Sequence, residues 1–148
     1  MNGFELGSDG PGTLVVGFDG SETAWRALHW AVGHARRQGS RVIAVYAERG
    51  PVLVDAPVVV DSPAVEEADA RYRETLRDGV AELGRETGVD ARFVTVTADP
   101  VLALTKVAAE VRADAIVVGA SEQAGHRWFG SIAVRMVKTG DRPVTVVP

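Results

Sequence analysis

Asp19 is the first residue whose type and place could do chemistry. It ends an apolar run, Leu14-Val15-Val16-Gly17-Phe18, and precedes Gly20-Ser21. A carboxylate at the tip of a buried strand can accept hydrogen bonds from a ribose hydroxyl or an adenine amino group, or help hold a divalent cation. The structural alternative is local turn bonding within Asp-Gly-Ser. The second candidate is the stretch from Gly119 to Ser131. The apolar run Ala115 to Val118 ends at Gly119, a glycine-bearing loop follows, and Gly130-Ser131 opens an amphipathic segment. A strand–loop–helix junction of this kind turns backbone N–H groups into an open crevice, where anions bind. Arg127, inside that loop, can hold a phosphate through two parallel hydrogen bonds, although an exposed arginine without a partner is the plainer reading. Gly119 either admits a ligand close to the backbone or relieves a tight exit from its strand. Ser131 at a helix start is either a phosphate contact or an ordinary cap, worth about 1 kcal/mol.

Other residue types offer less. His29 and His34 lie off the apolar stripe of their segment and have no partner at metal-ligand spacing, so they read as solvent-facing. Trp25 and Trp30 read as packing beside that stripe. The chain has no G-x-x-x-x-G-K-[ST] and no G-x-G-x-x-G, which removes the phosphate loop and the dinucleotide fingerprint. Ser121 lacks the glycine that would complete a nucleophile elbow. Val94-Thr-Val-Thr97 carries no aspartate, against a phosphoacceptor receiver. No base, nucleophile or metal cluster suggests turnover.

The elements that position these residues follow from hydrophobic period. Thr13 to Asp19, Arg41 to Ala47, Arg92 to Thr97, Asp114 to Gly119 and Val144 to Val147 read as strands, rich in consecutive Val and Ile as in a sheet buried on both faces. Ser21 is a helix cap, and Ala24, Ala27, Leu28, Ala31 and Ala35 form one stripe that Gly39 ends. Val65, Ala68, Tyr72, Leu76, Val80 and Leu83 mark a long helix, with Glu67–Arg71 and Asp69–Arg73 as i,i+4 pairs on its wet side. Asp99-Pro100 caps a third helix, and Ser131 to Thr139 is a short fourth. Glu48 to Pro63 is the irregular segment. Pro51, Pro57 and Pro63 argue against a helix there, and the apolar pieces Val52 to Val60 suit a lid, a contact surface or a loop packed over a helix.

This βαβαβαβαβ alternation implies an α/β fold with an open, five-stranded parallel sheet and four helices on its two faces. With right-handed crossovers and two strands added on each side of the first, the order is 3-2-1-4-5. The order reverses between the first and fourth strands, and ligands bind in the crevice at such a switch point. The period alone leaves 2-1-3-4-5 open.

Composition bounds the function. The chain has 148 residues, 46% apolar and 24% charged, with a net charge of −4 and no cysteine. It suits one domain over residues 13–148, with a flexible N-terminal tail over residues 1–12. No basic block exists to neutralise nucleic-acid phosphates. No run reaches the roughly 18 apolar residues of a membrane span. The missing thiols fit a cytoplasmic location.

With these residues in view, the chain resembles the universal stress proteins of the UspA type. The resemblance runs over nearly all of Thr13 to Pro148. It is carried by Val15-Val-Gly-Phe-Asp-Gly-Ser-Glu-Thr-Ala24, Ala98-Asp-Pro100, Ala113-Asp-Ala-Ile-Val-Val-Gly119, Gly130-Ser131 and Arg142-Pro-Val-Thr-Val-Val-Pro148. It implies a Rossmann-like, adenine nucleotide alpha hydrolase-like fold, the order 3-2-1-4-5 and a homodimer. In one subgroup it implies ATP at the switch point, with Mg only alongside a nucleotide. Asp19, flanked by Gly17 and Ser21, would face the nucleoside, and Val45 to Ala47 would line the adenine pocket. Val118, Gly119, Arg127, Gly130, Ser131 and Ile132 would surround the phosphates and ribose. The last strand, Val144, Thr145, Val146 and Val147, would form the dimer edge.

The loop departs from the family's G-x2-G-x9-G-[ST]. Glu122 stands where the second glycine belongs, and the spacing to Gly130 is two residues short. That removes up to roughly 7 Å of reach. A glutamate about 5 Å from a phosphate costs on the order of 3 kcal/mol at an effective dielectric near 20, about a hundredfold in affinity. Two functions therefore stand side by side. One is a stress-response protein that binds ATP or another adenine nucleotide and acts by binding, with at most slow ATP hydrolysis. The other is a nucleotide-free dimeric interaction or signalling module with a repurposed crevice.

Overall fold

The computed structural model describes residues 12–48, 63–120 and 131–148. These form β1 (Thr13–Gly17), α1 (Glu22–Gln38), β2 (Arg41–Glu48), α2 (Pro63–Thr87), β3 (Ala91–Thr97), α3 (Pro100–Glu110), β4 (Ala115–Gly119), α4 (Ser131–Thr139) and β5 (Val144–Val147). All strand pairs are parallel, and the order is β3-β2-β1-β4-β5. The alternative 2-1-3-4-5 is thereby excluded. The reversal falls between β1 and β4, where Val15 pairs Ile116 and Val16 pairs Val117.

Strand alternation sorts the core into two layers. Leu14, Val16, Val42 and Ala44 pack with Ala27, Leu28 and Ala31 of α1 and with Leu76, Val80 and Leu83 of α2. Val15, Ile43, Val45 and Val118 point the other way, onto Leu104 and Val107 of α3 and Ala133 and Met136 of α4. Consecutive valines in β1 thus feed opposite faces, and both are fully buried. Each such side chain contributes about 1.5–3 kcal/mol by leaving water.

Helix ends follow the local chemistry. Ser21 accepts from the Ala24 N–H, and Gly39 closes α1 at φ 70°. Asp99 accepts from the N–H groups of Val101 and Leu102, with Pro100 as the first helical residue. Three readings change. Pro63 does not exclude a helix but opens α2, because the first turn has no intrahelical use for the missing N–H. Arg73 pairs with Glu48 of β2, not with Asp69. Trp30 is 40% exposed and stacks on His34 at 5.2 Å instead of packing on the core. The loop Val52 to Val60 lies outside the described residues, as does the N-terminal tail except for Gly12. Among the described residues no helix is long and apolar enough to cross a membrane.

Candidate functional site

β1 and β4 diverge at their carboxyl ends into a crevice of about 570 Å³. Gly17, Phe18 and Asp19 enter it from β1, and Val45 and Ala47 from β2. Val118, Gly119 and Ala120 come from β4, and Ser131, Ile132 and Ala133 from α4. The turn carrying Asp19 and the head of α4 therefore face one gap, although they are far apart in the chain. Arg127 and Gly130 lie outside the described residues, as do Glu122 and His126.

The glycines shape the gap. A Cβ on Gly119 would lie 2.6 Å from the Thr23 carbonyl oxygen and 2.8 Å from its carbon. Both are backbone atoms that cannot turn aside, so Gly119 lets the first turn of α1 sit against the end of β4. A Cβ on Gly17 would meet Leu104 and Val118 side chains at 3.3 Å, a tighter floor that flexible groups can relieve. Gly20 is left-handed at φ 80°, and a Cβ there would lie 2.2 Å from the Tyr72 hydroxyl.

Asp19 makes the local turn bond, since its Oδ1 accepts from the Ser21 N–H at 2.9 Å. The side chain is exposed and lines the crevice, so the carboxylate keeps acceptor capacity for a second donor. The turn bond thus orients the carboxylate and does not consume it.

Sequence reasoning missed the third wall. Pro100 and Leu104 of α3 also line the crevice. The topology carries the signal, because α3 starts at the same carboxyl edge of the sheet as α1 and α4. Three helix N-termini consequently converge here, each worth about half a positive charge. The end of α3 already carries the Asp99 carboxylate. That carboxylate receives two hydrogen bonds from Arg135 of α4, at 3.0 and 2.9 Å. The paired guanidinium holds Asp99 below the usual carboxylate range. The head of α1 carries Glu22 in its first turn and the Asp19 carboxylate at its cap, whereas the first turn of α4, opening at Ser131, holds no acidic residue and has N–H groups without an intrahelical partner.

The donor set is therefore divided. Asp19 offers an acceptor beside the head of α1, the head of α4 offers donors across the gap, and Val45, Ala47, Leu104 and Val118 supply an apolar bed between them. Such a division fits a molecule with a flat heterocycle, a hydroxylated middle and an anionic end. Among the described residues no group of three or more His, Cys, Asp or Glu is placed to hold a metal ion.

A parallel 3-2-1-4-5 sheet with its crevice at the reversal defines a Rossmann-like α/β domain. The universal stress protein family model matches residues 12–148, and the chain belongs to that family. The structure is similar to a universal stress protein family member from Burkholderia pseudomallei, with a TM-score of 0.70 and 25% identity, covering 92% of this chain and 95% of that one. It is similar to a universal stress protein from Archaeoglobus fulgidus in complex with dAMP, with a TM-score of 0.67 and 24% identity, covering 93% and 98%. It is also similar to an Arabidopsis thaliana family protein with AMP bound, with a TM-score of 0.64 and 20% identity, covering 93% and 90%. A sequence search of curated proteins finds no match.

Proposed function

We propose that this chain is a stress-response protein that binds an adenine nucleotide in the crevice between β1 and β4, and that it acts by binding and not by turnover. The observation that carries the reading is the meeting of Asp19 with the heads of α1 and α4 around one apolar bed. Asp19 accepts from the nucleoside, Val45 and Ala47 bed the base, and Gly119, Gly130, Ser131 and Ile132 surround the ribose and phosphate. Arg127 adds charge from the loop. Gly17, Ser21 and Val118 shape the walls. Relatives holding dAMP and AMP support a nucleotide with one phosphate as the ligand to try first. The short loop with Glu122 supports the same choice, since each added phosphate meets less reach and more repulsion. ATP, with Mg as its companion, is the longer ligand to compare.

The test is a calorimetric titration of AMP and ATP into wild type and Asp19→Ala. Binding by wild type, with affinity reduced at least tenfold in the variant, is the expected result. Equal heats for the two proteins would remove Asp19 from the site.

A second reading rests on β5. It ends the sheet order, so one of its edges has no strand beside it among the described residues. Val134 and Val137 of the neighbouring α4 are exposed apolar residues. An open edge beside such side chains suits pairing with a second copy through Val144, Thr145, Val146 and Val147. We propose a homodimer built there, located in the cytoplasm and compatible with either a filled or a closed crevice.

A further inference from the structure

Tyr72 belongs by spacing to the apolar stripe of α2, yet it is 44% exposed. Its hydroxyl donates to the backbone carbonyl of Asp19 at 3.0 Å, across 53 residues of chain. Gly20 lies under the same hydroxyl, where its missing side chain and left-handed backbone permit the approach. A second contact repeats the arrangement nearby. Gly79 of α2 admits the Trp25 ring, from which a Cβ would be only 2.8 Å away. Trp25 in turn meets Phe18 edge to face, with centroids 4.8 Å apart. The helix thereby holds the residues on both sides of Asp19, Phe18 through Trp25 and Gly20 directly.

The consequence for Asp19 is geometric. A hydrogen bond to the Asp19 carbonyl fixes the peptide plane between Asp19 and Gly20. That plane carries the chain to the Ser21 N–H, which orients the carboxylate from the far side of the turn. Tyr72 is not among the residues that line the crevice, so any effect on a ligand must pass through Asp19. The geometry points to Tyr72 as a positioning residue of the nucleotide site, whose hydroxyl sets the turn that presents the Asp19 carboxylate. This inference rests on the nucleotide reading above.

Tyr72→Phe isolates the claim, because it removes one hydroxyl and keeps the ring against Gly20. AMP is titrated by NMR, to millimolar dissociation constants, into wild type, Tyr72→Phe, Asp19→Ala and the double variant. The loss of one hydrogen bond predicts a three- to tenfold weakening for Tyr72→Phe, about the factor such a bond is worth. The double variant is expected to bind no more weakly than Asp19→Ala alone. A general structural role would instead weaken both backgrounds by the same factor, and that result would overturn the proposal. So would wild-type affinity in Tyr72→Phe when Asp19→Ala is weakened. Wild-type affinity in Asp19→Ala would remove Asp19 from the site and overturn this inference with it, while no binding by wild type would defeat the nucleotide reading as well.

Discussion

Asp19 shows how a residue can satisfy its turn and still serve a ligand. One carboxylate oxygen accepts from Ser21, and the group stays exposed at the crevice. The two readings open at the level of sequence are therefore compatible. Gly119 resolves differently. Its two readings were ligand approach and a tight strand exit, and the atom that forbids a side chain is the backbone of Thr23. Gly119→Ala should force α1 away from β4 and cost about 1–3 kcal/mol, as overpacking does. Urea unfolding checks this, and an unchanged midpoint would mean that α1 yields freely. Leu28 is fully buried between α1 and the sheet. Leu28→Ala should cost about 2–5 kcal/mol by the same measurement, with nucleotide affinity unaffected in the fraction that folds.

Among the elements, α4 depends most on a contact that no local pattern announces. Its Arg135 grips the cap of α3 through both carboxylate oxygens of Asp99, 36 residues away. That pair ties α4 to the head of α3 at the rim of the crevice. The folded carboxyl of Asp99 is lowered, first by the Arg135 hydrogen bonds. An acid whose folded value is depressed stabilises the fold above its unfolded value, about 4, and loses that contribution as pH falls through the folded value. Asp90 behaves alike beside Arg92. Thermal melts from pH 7 down to 2 should therefore show falling stability below about 4. Asp99→Asn should flatten part of that fall, and an identical acid limb in the variant would contradict the role given to Arg135. Helices were legible because burial recurs near every 3.6 residues, and strands because short apolar runs mark a sheet buried on both faces. Pro63 misled because proline forbids a helix interior but suits its first turn. Tyr72, Arg135 and the partner of Arg73 were not legible, because each acts across tens of residues where sequence spacing carries no geometry.

At the scale of the molecule, the reversal of strand order does the placing. Two helices lie on each face of one sheet, and their N-terminal ends share its carboxyl edge with the tips of β1, β2 and β4. The crevice at that edge was expected from the alternation of elements, and its α3 wall was missed because Asp99-Pro100 was read there only as the start of a helix. The opposite end of the sheet order leaves β5 open. Light scattering at micromolar concentration should give twice the 15.7 kDa chain mass. Val137→Asp, at a position 60% exposed, should leave the fold intact and yield single chains. A monomeric wild type would end the edge-pairing proposal. The central claim is the location of the ligand, and amide chemical shifts read it directly. Titrating AMP into the labelled protein should move Gly17 to Ser21, Val45 to Ala47, Gly119 and Ser131 together, with one dissociation constant. Shifts confined to other surfaces, or none at millimolar AMP, would contradict the account.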